Sequence, residues 1–211
     1  MERQNFDARL FEAAFALIAE RGWKHLSLAD AARRAELPLG EVRARCPNRL
    51  ALLLRFGRHA DREAVTGALT DGPMRDRIFD VVMRRIDTLQ AHRAGMLALL
   101  RALPSDPLTA LALAPVSALS MSWLLQAVGA DTSGLRGALR VQGLQLVWLA
   151  AVQAWRGDES EDLSATMAVL DQALNRAVQA ENTLADMFGQ ADVTATASAD
   201  EPAAEAPSAD A

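Results

Sequence analysis

The sequence predicts an all-α protein, and three observations carry that expectation. Alanine and leucine dominate the 211 residues, whereas aromatic residues make up 5% and tyrosine is absent, a composition that favours helix over sheet. Apolar residues recur at spacings of three and four along most of the chain. Glycine, proline and short polar residues then punctuate these runs at the places where helices start and stop.

From Phe6 to Arg21 a helical stripe runs through Leu10, Ala13, Ala14, Leu17 and Ile18, and Gly22 ends it. Ser27 opens a Ser-x-x-Asp capping pattern with Asp30, predicting a helix to about Ala35. Glu36-Leu37-Pro38 breaks it, Leu39 to Cys46 allows two further turns, and Asn48 caps a helix towards Leu69. Short helices separated by a tight turn form a helix-turn-helix pattern, in which the helix after the turn enters a major groove.

Beyond this unit, Pro73 starts an amphipathic helix with Ile78, Val82, Ile86 and Leu89 on one face. Arg75, Asp76, Arg77, Asp80, Arg84, Arg85 and Asp87 are read on the other. A short apolar helix follows from Ala94 to Leu103. No charged side chain occurs between Pro107 and Asp131, a length that would span a bilayer. Its serines, Pro115 and many alanines favour a buried core helix instead, without stable membrane insertion. Two long helices close the fold. Gly137–Arg156 carries Val141, Leu144, Trp148, Val152 and Trp155; Leu163–Phe188 carries Leu163, Met167, Leu170, Leu174 and Val178. Such stripes pair within one subunit or across a two-fold axis.

Charge is unevenly placed. The first sixty residues hold eleven basic and seven acidic side chains, a balance of +4, although the whole chain carries −5. Residues 181–211 hold seven acids and no base. The acidity therefore belongs to the tail, and the basic charge sits on the helix-turn-helix region, where double-stranded DNA is the expected partner. The organisation expected is a DNA-binding unit over residues 1–60, a larger helical region over 61–189 and a disordered acidic tail over 190–211.

Catalysis finds little support. There is no GxSxG, P-loop or HExxH motif; the single Cys46 forms no cysteine cluster, and His25, His59 and His92 are scattered. No enzyme, metal or cofactor is expected. The N-terminus lacks an apolar signal core, so the cytoplasm is the expected compartment.

The run AAFALIAERGWKHLSLADAARRAELPLGEVRARCPNRLALL, Ala13 to Leu53, resembles the N-terminal DNA-binding domain of TetR-family transcriptional regulators. It departs from the family pattern where Arg43 replaces a tyrosine, Cys46 a phenylalanine and Arg49 a lysine. The resemblance implies that Ser27, with Lys24 and His25 upstream, faces phosphate at a helix N-terminus. Leu39, Gly40, Arg43, Ala44 and Arg45 would form the reading surface, an arginine there suiting guanine O6 and N7, and Arg49 would grip phosphate. Arg33 and Arg34 stay open between DNA contact and solvated helix charge.

The same resemblance implies a homodimer through the last two helices, with Val141, Leu144, Val152, Trp155, Met167, Leu170 and Leu174 at the interface. It also implies a pocket for a hydrophobic effector, for which Met96, Met121, Trp123, Gln126, Gln145 and Trp148 are the candidate lining. The C-terminal half, through Arg75–Arg93, Asp106-Pro107-Leu108 and GADTSG…AWRGDESEDLSATMAVLDQAL, is also similar to the TetR-fold lipid-binding accessory protein of ubiquinone biosynthesis. That similarity implies an isoprenoid lipid as ligand. A dimeric, ligand-responsive DNA-binding regulator is the first expectation and a lipid-binding accessory protein the alternative.

Overall fold

Residues 2–199 of the backbone, and the side chains of residues 5–183, are described by a computed structural model. They form nine α-helices and two 3-10 turns, with no strand among the described residues. The sequence-predicted caps hold. Ser27 Oγ accepts the Asp30 N–H at 3.2 Å and Asn48 Oδ1 accepts that of Ala51 at 2.8 Å, each satisfying one of the donors a helix start leaves open.

Four helices build the N-terminal unit: α1 (Glu2–Arg21), α2 (Leu28–Arg34), α3 (Leu39–Arg45) and α4 (Arg49–Val65). A 3-10 turn, Trp23–His25, joins α1 to α2. The rest comprises α5 (Met74–Gln90), α6 (Arg93–Ala102), α7 (Pro107–Ala127), α8 (Gly134–Gly157) and α9 (Ser164–Ala199). One continuous apolar core runs from Phe6, Leu10 and Phe15 through Phe56, Ile86 and Met121 to Trp155 and Leu170.

The expected boundary at residue 60 falls inside α4. Ala60 and Ala64 are both buried on the face that packs against α5 and α7, so α4 belongs to both halves. The α1–α6 contact ties them further. A Cβ on Gly95 would lie 2.2 Å from the Phe15 carbonyl oxygen, so only glycine permits this approach. The expected disordered tail is also corrected at its start, because α9 continues through residues 190–199. Extending an existing helix is far easier than nucleating one. Residues 200–211 lie outside the described residues.

Helix α7 is not the buried core helix that its charge-free stretch predicted. Ser120, Met121, Leu124 and Leu125 face the core, but Leu108 is 80% and Leu119 70% exposed. It is the one described helix long and apolar enough, by composition, to cross a membrane. An apolar residue at nearly every position gives no stripe, so periodicity could not say that only one face is covered.

Candidate nucleic-acid interface and ligand cavity

The α2–α3 turn is built by interactions that leave one face of α3 free. Glu36 takes a left-handed backbone with φ 51°, while the Leu37 N–H donates to the Ala32 carbonyl at 2.9 Å and closes α2. Arg9 of α1 donates to the Ala35 and Glu36 carbonyls, fixing the turn on the core. On α3, Val42 and Cys46 are fully buried. Leu39, Gly40, Arg43 and Ala44 are exposed, occupying the opposite arc of a two-turn helix. Burial pushes the Cys46 thiol pKa up, so it is a core group without nucleophilic character.

Two of the residues expected at the DNA also make contacts within the chain. Arg45 does not join the outward face. Its guanidinium lies 3.8 Å from the centre of the Phe6 ring, and Nη2 is 3.3 Å from Glu41 Oε2, so it packs back on α1. Arg49 is likewise engaged within the chain, donating to the Trp23 carbonyl at 3.0 Å and the Lys24 carbonyl at 2.8 Å. It holds the 3-10 turn in place through Nη1, while Nε and Nη2 make no hydrogen bond among the described residues. Lys24 and His25 on that turn are exposed, and Ser27 is committed to capping α2. Arg33 and Arg34 pair with Asp30 at 2.8 Å and Glu20 at 2.6 Å, which favours the solvated-charge reading. Arg43 makes no ion pair among the described residues and is the principal cation of the outward α3 face.

A cavity of about 140 Å³ lies between α4, α5, α6, α7 and α8. Leu53, Phe56, Leu89, Met96, Leu99 and Trp148 line it, together with Gly57 and Arg85. Met96 and Trp148, two of the six candidate ligand residues, are among its lining; the other four are not. Met121 is fully buried core away from the cavity, and Trp123 is 44% exposed. Gln126 is exposed and bonds to Ser122 and Thr132; Gln145 accepts from Ser117 at 3.0 Å. Arg85, read from sequence as part of the polar face of α5, is only 6% exposed. Its signal was available, because it stands four residues from both Val81 and Leu89 on one helical row.

Comparison with solved structures finds the same architecture. A TetR transcriptional regulator from Nitrosomonas europaea ATCC 19718 superposes with a TM-score of 0.68 at 21% identity, covering 82% of this chain and 98% of the other. A TetR-family regulator from Streptomyces coelicolor gives 0.58 at 18% identity, with coverage of 93% and 92%. One from Rhodococcus sp. RHA1 gives 0.56 at 18% identity, with coverage of 84% and 97%. The chain has the TetR fold. No family model and no curated protein matches its sequence.

Within this TetR fold, the expected dimer residues separate into two groups. Leu144, Trp155, Leu170 and Leu174 are buried in the chain's own core, where α8 packs on α9 and α9 on α5. They are corrected to intrachain packing, since a side chain already buried has no surface to offer a second copy. Val141, Val152 and Met167 are half-buried. The exposed apolar face lies elsewhere on α8, at Leu135, Leu139, Leu146 and Leu149, with Val169 and Val178 on α9.

Proposed function

We propose that the chain is a DNA-binding regulator of transcription that acts as a homodimer and responds to a hydrophobic ligand. The observation that carries this reading is the division of α3, with Val42 and Cys46 locked in the core and Leu39, Gly40, Arg43 and Ala44 facing outward. A short helix held this way presents side chains to a major groove without moving its backbone. Lys24 and His25 stand exposed on the adjoining turn, where they would meet phosphates. The TetR fold and the basic balance of the first sixty residues support the same partner.

Dimerisation is supported by the exposed leucines of α8, which recur at spacings of four, seven and three. Covering them with a second copy would remove apolar surface from water and place two recognition helices for half-sites about one DNA turn apart. The ligand reading is supported by the cavity against α4, the helix that follows α3. An isoprenoid carrier is not retained, because the solved structures of the same fold reported above are all transcriptional regulators.

The test is selection of genomic fragments by the purified full chain at low salt, followed by footprinting. The expected result is a short two-fold-symmetric protected site whose affinity falls linearly with salt on logarithmic axes. Recovery of fragments with no shared site would overturn sequence-specific regulation.

A further inference from the structure

Helix α3 exposes two charged side chains of opposite sign, Glu41 and Arg43, whereas Arg45 is drawn back onto Phe6. At about 100° per residue, Gly40 and Ala44 stand opposite the buried Val42 and Cys46, and Glu41 and Arg43 fall on the two flanks of that small ridge. A Cβ added to Gly40 would meet nothing within 4 Å, so packing within the chain does not require glycine there, and glycine weakens a helix. Its missing side chain instead lets the backbone of α3 lie close to the floor of a groove.

Glu41 is the one side chain of α3 that accepts hydrogen bonds, and it is 54% exposed. Its Oε2 lies 3.3 Å from Arg45 Nη2, while Oε1 has no hydrogen bond among the described residues. An exposed pair of this kind contributes little, so the α3 backbone, more than Arg45, places Glu41. In a major groove a carboxylate meets mostly its own kind. Phosphates, guanine O6 and N7, adenine N7 and thymine O4 all repel it. Cytosine N4 is a donor, whereas the donor N6 of adenine stands beside the acceptor N7.

We propose that Glu41 is a specificity-determining residue whose carboxylate accepts a hydrogen bond from cytosine N4, on the flank of α3 opposite Arg43. The assignment rests on the reading of α3 as the helix that enters the groove, and names a base that this helix selects. Where another base stands at that position, the charge of Glu41 faces acceptors, so it rejects wrong sites as well as reading the right one.

The experiment is selection from a randomised duplex library by the full chain and by its Glu41→Gln and Glu41→Ala variants. Affinities for selected and unrelated duplexes, and urea denaturation of each free chain, accompany it. The wild-type chain is expected to require cytosine at one position of each half-site, and changing that base pair to lower affinity about tenfold or more. Glu41→Gln is expected to move the preference at that position alone to adenine, whose N6 and N7 suit a carboxamide. Glu41→Ala is expected to lose the preference and to bind unrelated duplexes more tightly than wild type, because a negative charge leaves the interface. A role confined to the first turn of α3, where a carboxylate also suits the positive helix end, would shift the urea midpoint and leave the selected bases unchanged. That result would overturn the proposal, as would a wild-type site without an invariant cytosine. Weaker binding by Arg43→Ala with unchanged base preference in Glu41→Gln would overturn the assignment of Glu41 and leave the regulator reading standing. The absence of any shared site among the wild-type selections would overturn both.

Discussion

The indole N–H of Trp23 donates to Oδ2 of Asp106 at 3.0 Å, joining residues 83 positions apart. Trp23 is buried in the turn that carries Lys24 and His25, and Asp106 caps α7 by accepting from the Thr109 backbone and hydroxyl. These hydrogen bonds hold the Asp106 carboxyl below its ordinary pKa, so it stays an acceptor at neutral pH. The turn that joins α1 to α2 is thus pinned to α7. Trp23→Phe keeps the ring and loses the donor. It is expected to lower DNA affinity about three- to tenfold, measured by fluorescence anisotropy, with the circular dichroism of the free chain unchanged.

A second coupling point is steric. Gly95→Ala drives a methyl group into the Phe15 carbonyl, and neither backbone can give way without separating α1 from α6. The expected loss is about 1–3 kcal/mol of unfolding free energy, read from urea denaturation. A Gly95→Ala chain as stable as wild type would show that the α1–α6 approach is not close in solution.

Acid is expected to loosen the same junction. His92 stacks on Phe15 with ring centres 5.1 Å apart, His59 lies tilted against Phe11 at 5.4 Å, and Phe56 packs against both histidines. Burial lowers both histidine pKa values from the ordinary 6.5, outweighing Glu63 beside His59 and Glu12 near His92. Arg62 reinforces the lowering at His59, and His59 itself reinforces that at His92. The unfolded chain then takes up protons first as pH falls, so stability decreases below about pH 6.5 and is level above it. Melting temperatures recorded from pH 7.5 down to 5 should show this slope in wild type and a shallower one in His92→Gln.

The unpartnered face of α8 gives a test of assembly. Replacing Leu139 and Leu146 with glutamate leaves the buried face of the helix untouched and places charge where a second copy would pack. Sedimentation is expected to show a dimer for wild type and a folded monomer for the double variant, with much weaker DNA binding. A dimer that survives both substitutions would exclude this face.

Sequence was a good guide wherever the determinant was local. Ser27, Asn48, Gly22 and Pro38 mark helix ends by backbone chemistry that needs no knowledge of the fold. It was a poor guide where the outcome depended on what lies across space. Arg45 and Arg49 read as cations available to DNA, yet the Phe6 ring and the Trp23 and Lys24 carbonyls that engage them come from distant positions. Helix α8 is apolar on both faces, with Leu144 and Trp155 inward and Leu139 and Leu146 outward. Periodicity located the helix but not which side a partner would cover. Arg85 was assigned by residue type when its position in the Val81–Leu89 row pointed inward.

The most direct measurement is the affinity of Arg43→Ala and Arg45→Ala for the site recovered by genomic selection, alongside wild type. Arg43 is expected to carry about 1–3 kcal/mol of binding, so Arg43→Ala should bind about tenfold or more weakly with unchanged stability. Arg45→Ala should bind close to wild type and unfold at lower urea, because its contacts are with Phe6 and Glu41. Equal affinity of Arg43→Ala and wild type would contradict the placement of α3 as the helix that reads DNA.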